Sequence, residues 1–119
     1  MPSHNDYLYL CHMRDACLKV QQYIAGFTWE LFAADSRTQD AVIRQLAIIG
    51  EASSNLSQEC KDSNKATPWR AVKDFRNIAV HNYDRVMPDR VWKLTQKDVP
   101  EMVSQLGTLI ELFPVPKAR

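Results

Sequence analysis

Apolar residues recur at helical spacing from near the start of the chain to near its end. In the first part they fall three, four or seven positions apart, which is the repeat of one buried stripe on an α-helix. The stripe consists of Leu10, Met13, Cys17, Val20, Ile24 and Phe27. It predicts a first helix over about residues 5–25. Gly26 and Thr28 interrupt the pattern, and residues 29–32 are predicted to form a short helical turn.

A second and wider apolar face follows Ser36 and Thr38, either of which can cap a helix. Its members are Val42, Leu46, Ile49, Ser53 and Leu56, with Ile48 and Ala52 beside them. A face this wide is expected to pack against neighbours on two sides. Gly50 lies within it. Because glycine weakens a helix interior, Gly50 indicates a close contact between helices rather than a helix end.

The second half of the chain predicts further helices. Residues 61–67 are polar and indicate a loop, after which Thr67 is expected to cap a helix that has Pro68 in its first turn. That helix is expected to end near Asn82. A short helix is predicted over about residues 88–97.

The last helix is predicted from a capping box formed by Asp98 and Glu101. Its apolar positions are Val99, Met102, Leu106, Leu109 and Phe113. Pro114 and Pro116 are expected to end it. The chain has no alternating strand pattern, internal repeat or glycine-rich phosphate loop. We therefore expect an all-α protein, an antiparallel bundle of four to five main helices, in a single domain over residues 1–119.

Composition and cysteine usage narrow the class of protein. The chain has 119 residues, of which 45% are hydrophobic, and this suits one compact domain. It has no apolar run of about 18 residues and no secretory signal at its start, so a cytoplasmic protein without membrane association is expected. Cys11, Cys17 and Cys60 have neither C-x-x-C spacing nor histidines at zinc-ligand spacing, so no disulfide framework or metal site is predicted.

Charge is unevenly distributed, although the net charge is only +1. Residues 1–60 carry four basic and seven acidic side chains, whereas residues 61–97 carry nine basic and four acidic ones. The basic residues of the second segment are Lys61, Lys65, Arg70, Lys73, Arg76, Arg85, Arg90, Lys93 and Lys97. If they share a surface, their field would attract a polyanion. The alternative is a set of ordinary solvated helix faces.

Candidate chemistry is concentrated in residues 76–83, which read RNIAVHNY. The planar guanidinium of Arg76 suits two phosphate oxygens, and His81 is of the type that exchanges a proton near neutral pH. Lys73, Arg76, Asn77 and His81 share one broad face of the predicted helix, opposite its apolar side. Such a set can hold and cleave a phosphodiester. The alternative is a solvated helix face, with His81 favoured simply as a positive charge near a helix C-terminus.

These residues give the chain a resemblance to the HEPN superfamily and, within it, to the HepT-like toxins. Their signature is an Arg, a polar residue and then a His four to six positions after the Arg. Arg76, Asn77 and His81 match it, and Tyr83 matches the Tyr that follows the His in the HepT subgroup. The resemblance extends in the same order to residues 41–52, 68–70 and 91–100.

The resemblance implies a HEPN-like bundle that dimerises through the motif-helix face and acts as an endoribonuclease without a metal or cofactor. In such a homodimer, paired motif residues would converge on one scissile phosphate of an RNA substrate. His81 would transfer protons to and from the ribose 2′-hydroxyl and the 5′-oxygen, and Arg76 would stabilise developing charge. Asn77 would orient the phosphate or His81. Lys73 and Arg70 are candidate contacts to the RNA backbone.

The resemblance also implies a partner, a minimal nucleotidyltransferase antitoxin of the MntA type. This partner would silence the toxin by transferring AMP to Tyr83, since added phosphate beside Arg76 and His81 would block RNA entry. Two other interpretations stay open. One is a non-catalytic module that binds a nucleotide, or the nucleotidyltransferase, through Arg76. The other is a purely structural bundle that scaffolds its partner.

Three further residues receive structural interpretations. Trp69 and Trp92 are expected in the core or at the dimer interface rather than as platforms for base stacking, since tryptophan is enriched at buried contacts. Glu51 lies in an otherwise apolar helix and is expected to form a structural ion pair with Arg76 or Arg44.

Overall fold

The computed structural model describes residues 4–81 and 88–113, with side chains over 5–77 and 88–113. Every regular element in this part of the chain is helical, which confirms the all-α prediction. The elements are α1 (His4–Tyr23), α2 (Trp29–Ala33), α3 (Ser36–Ser54), α4 (Gln58–Asp62), α5 (Trp69–His81), α6 (Pro88–Lys93), a π-helical turn (Leu94–Asp98) and α7 (Val99–Glu111).

Helix α3 occupies the centre of the bundle. It packs against α1 and against α5, and α1 packs in turn against α7. The α1 stripe is confirmed by four fully buried members, Leu10, Met13, Cys17 and Val20. All five predicted positions of the second face are buried, four of them on α3 (Val42, Leu46, Ile49 and Ser53) and Leu56 just beyond its end. Each large apolar side chain buried in this way contributes about 1.5–3 kcal/mol, so the two predicted faces hold the bundle together.

The connection from α1 to α2 follows the prediction closely. Helix α1 ends at Tyr23, two residues before its expected end. Gly26 then turns the chain with φ of 79°, a conformation that side chains rarely adopt. The predicted short helix is present, and the Thr28 hydroxyl caps it by accepting the Leu31 N–H at 3.2 Å.

Helix α3 begins with a different cap from the two predicted. Asp35 is the extended residue before the helix (φ −121°, ψ 90°), and its Oδ1 accepts the Thr38 N–H at 3.0 Å. Its Oδ2 accepts the Thr38 hydroxyl at 2.9 Å. Ser36 already lies in the first turn, so it is not in position to cap. The bonds from Thr38 favour the ionised carboxylate and lower the pKa of Asp35.

Helix α4 occupies residues 58–62, so the prediction of a loop over 61–67 was wrong at its start. The Ser57 hydroxyl caps this helix by accepting the Cys60 N–H at 3.1 Å. It also donates to Asp6 Oδ2 at 2.7 Å, while Asp6 Oδ1 accepts the Ser57 N–H at 2.9 Å. The Asp6 side chain is 1% exposed. A buried carboxylate of α1 therefore fixes the start of α4.

The predicted capping box of the last helix does not form. Asp98 has helical dihedrals (φ −75°, ψ −36°) and makes no capping hydrogen bond with its side chain. The chain passes from α6 through the π-helical turn into α7, so there is no free helix start to cap. Pro100 lacks an N–H, and its ring would clash with the Gln96 carbonyl in a regular α-helix. The wider turn, closed by the Val99 N–H bonding to the Leu94 carbonyl, relieves this conflict.

The remaining predictions about the class of protein concern membranes and thiols. None of the described helices is both long and apolar enough to cross a membrane. All three cysteines are free thiols, Cys17 and Cys60 buried and Cys11 half-buried. Burial raises the pKa of the Cys17 thiol to about 12. The interpretation of these cysteines as small core and surface residues is confirmed.

Candidate functional site

Helix α5 presents a polar face opposite its buried one. The buried side is formed by Ala71, Val72 and Phe75, each less than a tenth exposed. Lys73, Arg76 and Asn77 are exposed. Over the side chains that the structure describes, the predicted separation of core residues from functional groups is confirmed. The buried residues attach α5 to the bundle and leave the polar ones free to meet a ligand.

Two members of the predicted site fall partly or wholly outside the described residues. Helix α5 runs through His81, so the backbone of His81 lies one turn beyond Asn77, about 6 Å along the helix axis. The side chain of His81 and all of Tyr83 lie outside the described residues. Their roles stay predictions.

An open cleft of about 570 Å³ lies between α3 and α5, and we term it the α3–α5 cleft. Its lining residues are Gly50, Ser53, Ser54, Lys61, Trp69, Val72, Lys73, Arg76 and Asn77. Three of them, Lys61, Lys73 and Arg76, are cationic, and none is a carboxylate. A cleft lined by charge of one sign concentrates its field on a ligand of the opposite sign. The α3–α5 cleft is therefore suited to an anion.

The floor of the cleft at Gly50 is set by a contact with Arg76. A Cβ atom added at Gly50 would overlap the Arg76 Cγ, and it would lie 3.1 Å from the Cδ and 3.4 Å from the Cβ. The close helix contact predicted from the glycine is confirmed. Because the aliphatic part of Arg76 lies on α3, its guanidinium is the end left for the cleft.

The ion pair expected for Glu51 is absent among the described side chains. Glu51 is exposed to solvent on α3, and neither Arg44 nor Arg76 pairs with it there. An exposed carboxylate needs no cation to offset burial, since water solvates it. In the described part of the chain, the guanidinium of Arg76 is thus not neutralised by this acid.

Trp69, at one end of the cleft, is held in place by a hydrogen bond. Its indole N–H donates to the Asn64 carbonyl at 3.0 Å, and the Asn64 side-chain amide donates to the Cys60 carbonyl at 2.8 Å. These bonds connect α5 to α4. Trp69 is half-buried against the core, as expected, but it also lines the cleft, which the sequence did not indicate. Trp92 packs on Phe32 with ring centroids 5.1 Å apart, which confirms its assignment to the core.

Arg70 does not line the α3–α5 cleft, although it lies three positions before Lys73 on α5. It is exposed and lines a neighbouring depression of about 640 Å³ with Lys65 and Lys97. The same depression contains four carboxylates, those of Asp62, Asp74, Asp98 and Glu101. Even so, no group of three or more His, Cys, Asp or Glu among the described residues is arranged to hold a metal ion. Lys61 lines the cleft beside Lys73 and Arg76, and the basic excess over residues 61–97 was its only sequence signal.

The all-helical fold is consistent with a HEPN-like bundle. The sequence model of the family described as Ribonuclease HepT-like matches residues 13–109, a span that contains the whole cleft. The chain therefore belongs to the HepT-like ribonuclease family.

Individual relatives agree with this assignment. The chain is 35% identical over 107 residues to the "Probable ribonuclease HepT" of Thermococcus cleftensis, covering 90% of this chain and 96% of that protein. It is 30% identical over 104 residues to a "Gamma-glutamylcyclotransferase and putative RNase" of Methanocaldococcus jannaschii, covering 87% of this chain. It spans only 47% of that longer protein. No solved structure matches the chain.

Proposed function

We propose that this protein is an endoribonuclease toxin that cleaves RNA without a metal ion, at a site shared by two copies of the chain. The observation that supports this most is the exposed pair Arg76 and Asn77 at the α3–α5 cleft, on a helix that continues to His81 in a chain of a ribonuclease family. A permanently charged fork can bind the phosphate, and an imidazole can transfer the protons that phosphodiester cleavage moves.

The reaction we propose is an internal transesterification. His81 accepts the proton of the ribose 2′-hydroxyl while the 2′-oxygen attacks phosphorus, and the bond to the 5′-oxygen breaks. A second His81 protonates the departing 5′-oxygen, which leaves a 2′,3′-cyclic phosphate and a 5′-hydroxyl. Arg76 stabilises the charge on the phosphoryl oxygens. Asn77 orients the phosphate, and Lys73 and Arg70 hold the backbone of the RNA on either side.

Two copies of the chain are needed because one copy supplies too few proton-transferring side chains. One chain supplies a single His81, whereas the reaction needs a base and an acid in the same step. A homodimer joined through the exposed face of α5 brings two of each motif residue to one phosphate. When wild-type chains are mixed with an excess of inactive His81→Ala chains and allowed to exchange, each heterodimer holds only one unaltered His81. A fall in activity steeper than the fraction of wild-type chains would support a shared site.

The direct test is incubation of total RNA with purified protein in EDTA, followed by analysis of the product ends. We expect cleavage by the wild type with cyclic phosphate ends, and a loss of about 10²–10⁴ in rate for His81→Ala. Arg76→Ala should be similarly impaired. The matched controls are His12→Ala and Arg37→Ala, which replace exposed residues of the same types on α1 and α3. Cleavage by His81→Ala at the wild-type rate would refute the proposal.

We further propose that the toxin is silenced by a cognate minimal nucleotidyltransferase, which transfers AMP to Tyr83. Phosphate attached beside the motif would occupy Arg76 and repel RNA. Tyr83→Phe should therefore cleave RNA normally but stay active in the presence of the nucleotidyltransferase and ATP. Incorporation of AMP into Tyr83→Phe at the wild-type level, measured by intact mass, would contradict this assignment.

The alternative is a binding module without catalysis, for which the same cationic cleft would hold a nucleotide. The two functions differ in what the chain does when expressed alone. A ribonuclease should arrest growth, and the arrest should depend on His81. A module should leave growth unchanged while the purified protein still binds nucleotides.

A further inference from the structure

The lining of the α3–α5 cleft combines cationic side chains with an apolar wall. A phosphate alone would need only the cations. We propose that it binds one unpaired nucleotide of the RNA, next to the scissile phosphate, with the base stacked on Trp69. This inference rests on the proposed ribonuclease function and adds a determinant of its substrate, a base that must be free of a duplex.

The lining of the cleft matches the parts of a nucleotide. Lys61, Lys73 and Arg76 provide positive charge for a phosphate, while Trp69 and Val72 provide an apolar wall. The volume of about 570 Å³ falls within the range of sites that hold small organic ligands. The neighbouring depression shares Lys61 and Trp69, but its four carboxylates balance its four cations, so it lacks the net positive charge of the cleft.

Trp69 is held in place before any ligand arrives. Its N–H is bonded to the Asn64 carbonyl at 3.0 Å, so rotation of the ring would break a hydrogen bond. A platform that is already ordered loses little conformational entropy on binding. Aromatic rings on which bases stack are the common device of proteins that bind single strands, because every base has a π-face.

The same geometry selects against paired RNA. A base inside a duplex already stacks on neighbours above and below, and the deep groove of A-form RNA does not expose its faces. Only a base that is splayed out can reach the Trp69 ring. We therefore expect the cleft to favour loops, bulges and single-stranded ends.

The test measures binding separately from cleavage. The probe is a short fluorescein-labelled oligouridylate with 2′-O-methyl riboses, which lacks the attacking hydroxyl, and its affinity is measured by fluorescence anisotropy. Trp69→Phe and Trp69→Leu both remove the bond to Asn64, but only the phenylalanine keeps a π-face. Trp29→Leu is the control, since Trp29 is exposed on α2 and does not line the cleft.

We expect Trp69→Leu to bind the probe about 5- to 150-fold more weakly than the wild type, the range for loss of one stacked base. Trp69→Phe should retain most of the affinity, and Trp29→Leu all of it. A blunt 2′-O-methyl duplex should bind equally well to wild type and Trp69→Leu. The stacking site is overturned if the wild type does not bind the probe, if Trp69→Leu binds as tightly as wild type, or if Trp69→Phe loses as much as Trp69→Leu.

Digestion of the unmodified oligouridylate by the same proteins distinguishes the two proposals. Binding that depends on the ring at position 69, without any cleavage by the wild type, would support the nucleotide site and refute the ribonuclease. Cleavage by the wild type together with binding that is indifferent to Trp69→Leu would support the ribonuclease and refute the nucleotide site.

Discussion

At the scale of single residues, the position of the Arg76 side chain depends on Gly50 of α3, which has no Cβ atom. Its aliphatic stem lies on the backbone of Gly50, where any Cβ would overlap it. The sequence indicated a close contact at Gly50. Glycine weakens a helix interior, so a glycine inside a strongly apolar helix indicates that packing leaves no room for a side chain. It could not indicate the partner. The pairing of α3 with α5 depends on tertiary packing, which no local pattern records.

The contact between Gly50 and Arg76 is expected to position the guanidinium for cleavage. Gly50→Ala should displace the Arg76 side chain and reduce RNA cleavage on the order of 10²-fold, the usual effect of misplacing a catalytic group by about 1 Å. The measurement is the initial rate on a labelled RNA. Gly107→Ala is the matched control, since a Cβ there meets nothing within 4 Å. It lies in α7, where alanine should add up to about 1 kcal/mol of helix stability.

A double-mutant cycle separates positioning from stability. In an Arg76→Ala background, Gly50→Ala should cause little further loss, because the side chain that it displaces is already gone. An undiminished loss in that background would mean that Gly50 acts through the fold and not through Arg76.

At the scale of elements, two aspartates that precede helices respond to pH in opposite directions. Asp35 caps α3, and its bonds from Thr38 lower its pKa. A lowered folded-state pKa gives stability that is present above the unfolded pKa and is lost as pH falls through the folded pKa. We therefore expect Asp35→Ala to lower the melting temperature at neutral pH, and to lower it much less in acid below the folded-state pKa. Asp35→Asn keeps a capping oxygen and should lose less, and thermal unfolding at both pH values checks this.

Asp98 should behave in the reverse way. It caps nothing, and partial burial, aided by Asp74 and Glu101, raises the pKa of its carboxyl against the opposing effect of Lys97. A raised pKa for an acid means that stability is greatest below the unfolded pKa and falls as pH rises through the folded pKa. Asp98→Asn is expected to raise the melting temperature at neutral pH and to leave it unchanged in acid. A drop at neutral pH would contradict this account.

The helix starts show where local sequence is sufficient and where it is not. The apolar repeats of α1 and α3 predicted both helices, because burial of one face follows directly from spacing. The cap of α3 was assigned wrongly, since Asp35, Ser36 and Thr38 are all good caps and the choice depends on which one is extended. Helix α4 was missed because it is short and is fixed by Asp6, far away in sequence.

At the scale of the whole molecule, the cleft is assembled from three helices. Gly50 comes from α3, Lys61 from α4, and Trp69 and Arg76 from α5. Helical periodicity grouped Lys73, Arg76 and Asn77 correctly, because they share one face of one helix. It could not place Lys61 beside them or turn Trp69 toward them. The charge asymmetry of the chain was the one long-range signal available, and it does not specify distances.

The buried link between α1 and α4 should contribute to the stability of the whole bundle. Asp6→Ala removes two hydrogen bonds to Ser57 and is expected to lower the free energy of unfolding by about 1.5–3 kcal/mol, measured by urea denaturation. Asp15→Ala is the control on the same helix. Its side chain is 61% exposed and lies 3.7 Å from Arg14, so its loss should change stability by less than about 0.5 kcal/mol. Equal effects of the two substitutions would show that the link to Ser57 is unimportant.

The same link has a consequence for the order in which the protein is made. Asp6 and Ser57 are separated by 51 positions, so at about 5–20 residues per second the carboxylate waits roughly 3–10 s for its partner to be synthesised. The apolar stripe of α1 likewise lacks its packing partners until α3 and, later, α7 have been synthesised. During this interval Leu10, Met13 and Val20 lack the helices that bury them in the folded protein. Among the described helices, α1 is thus the first to be synthesised and one of the last to complete its packing contacts.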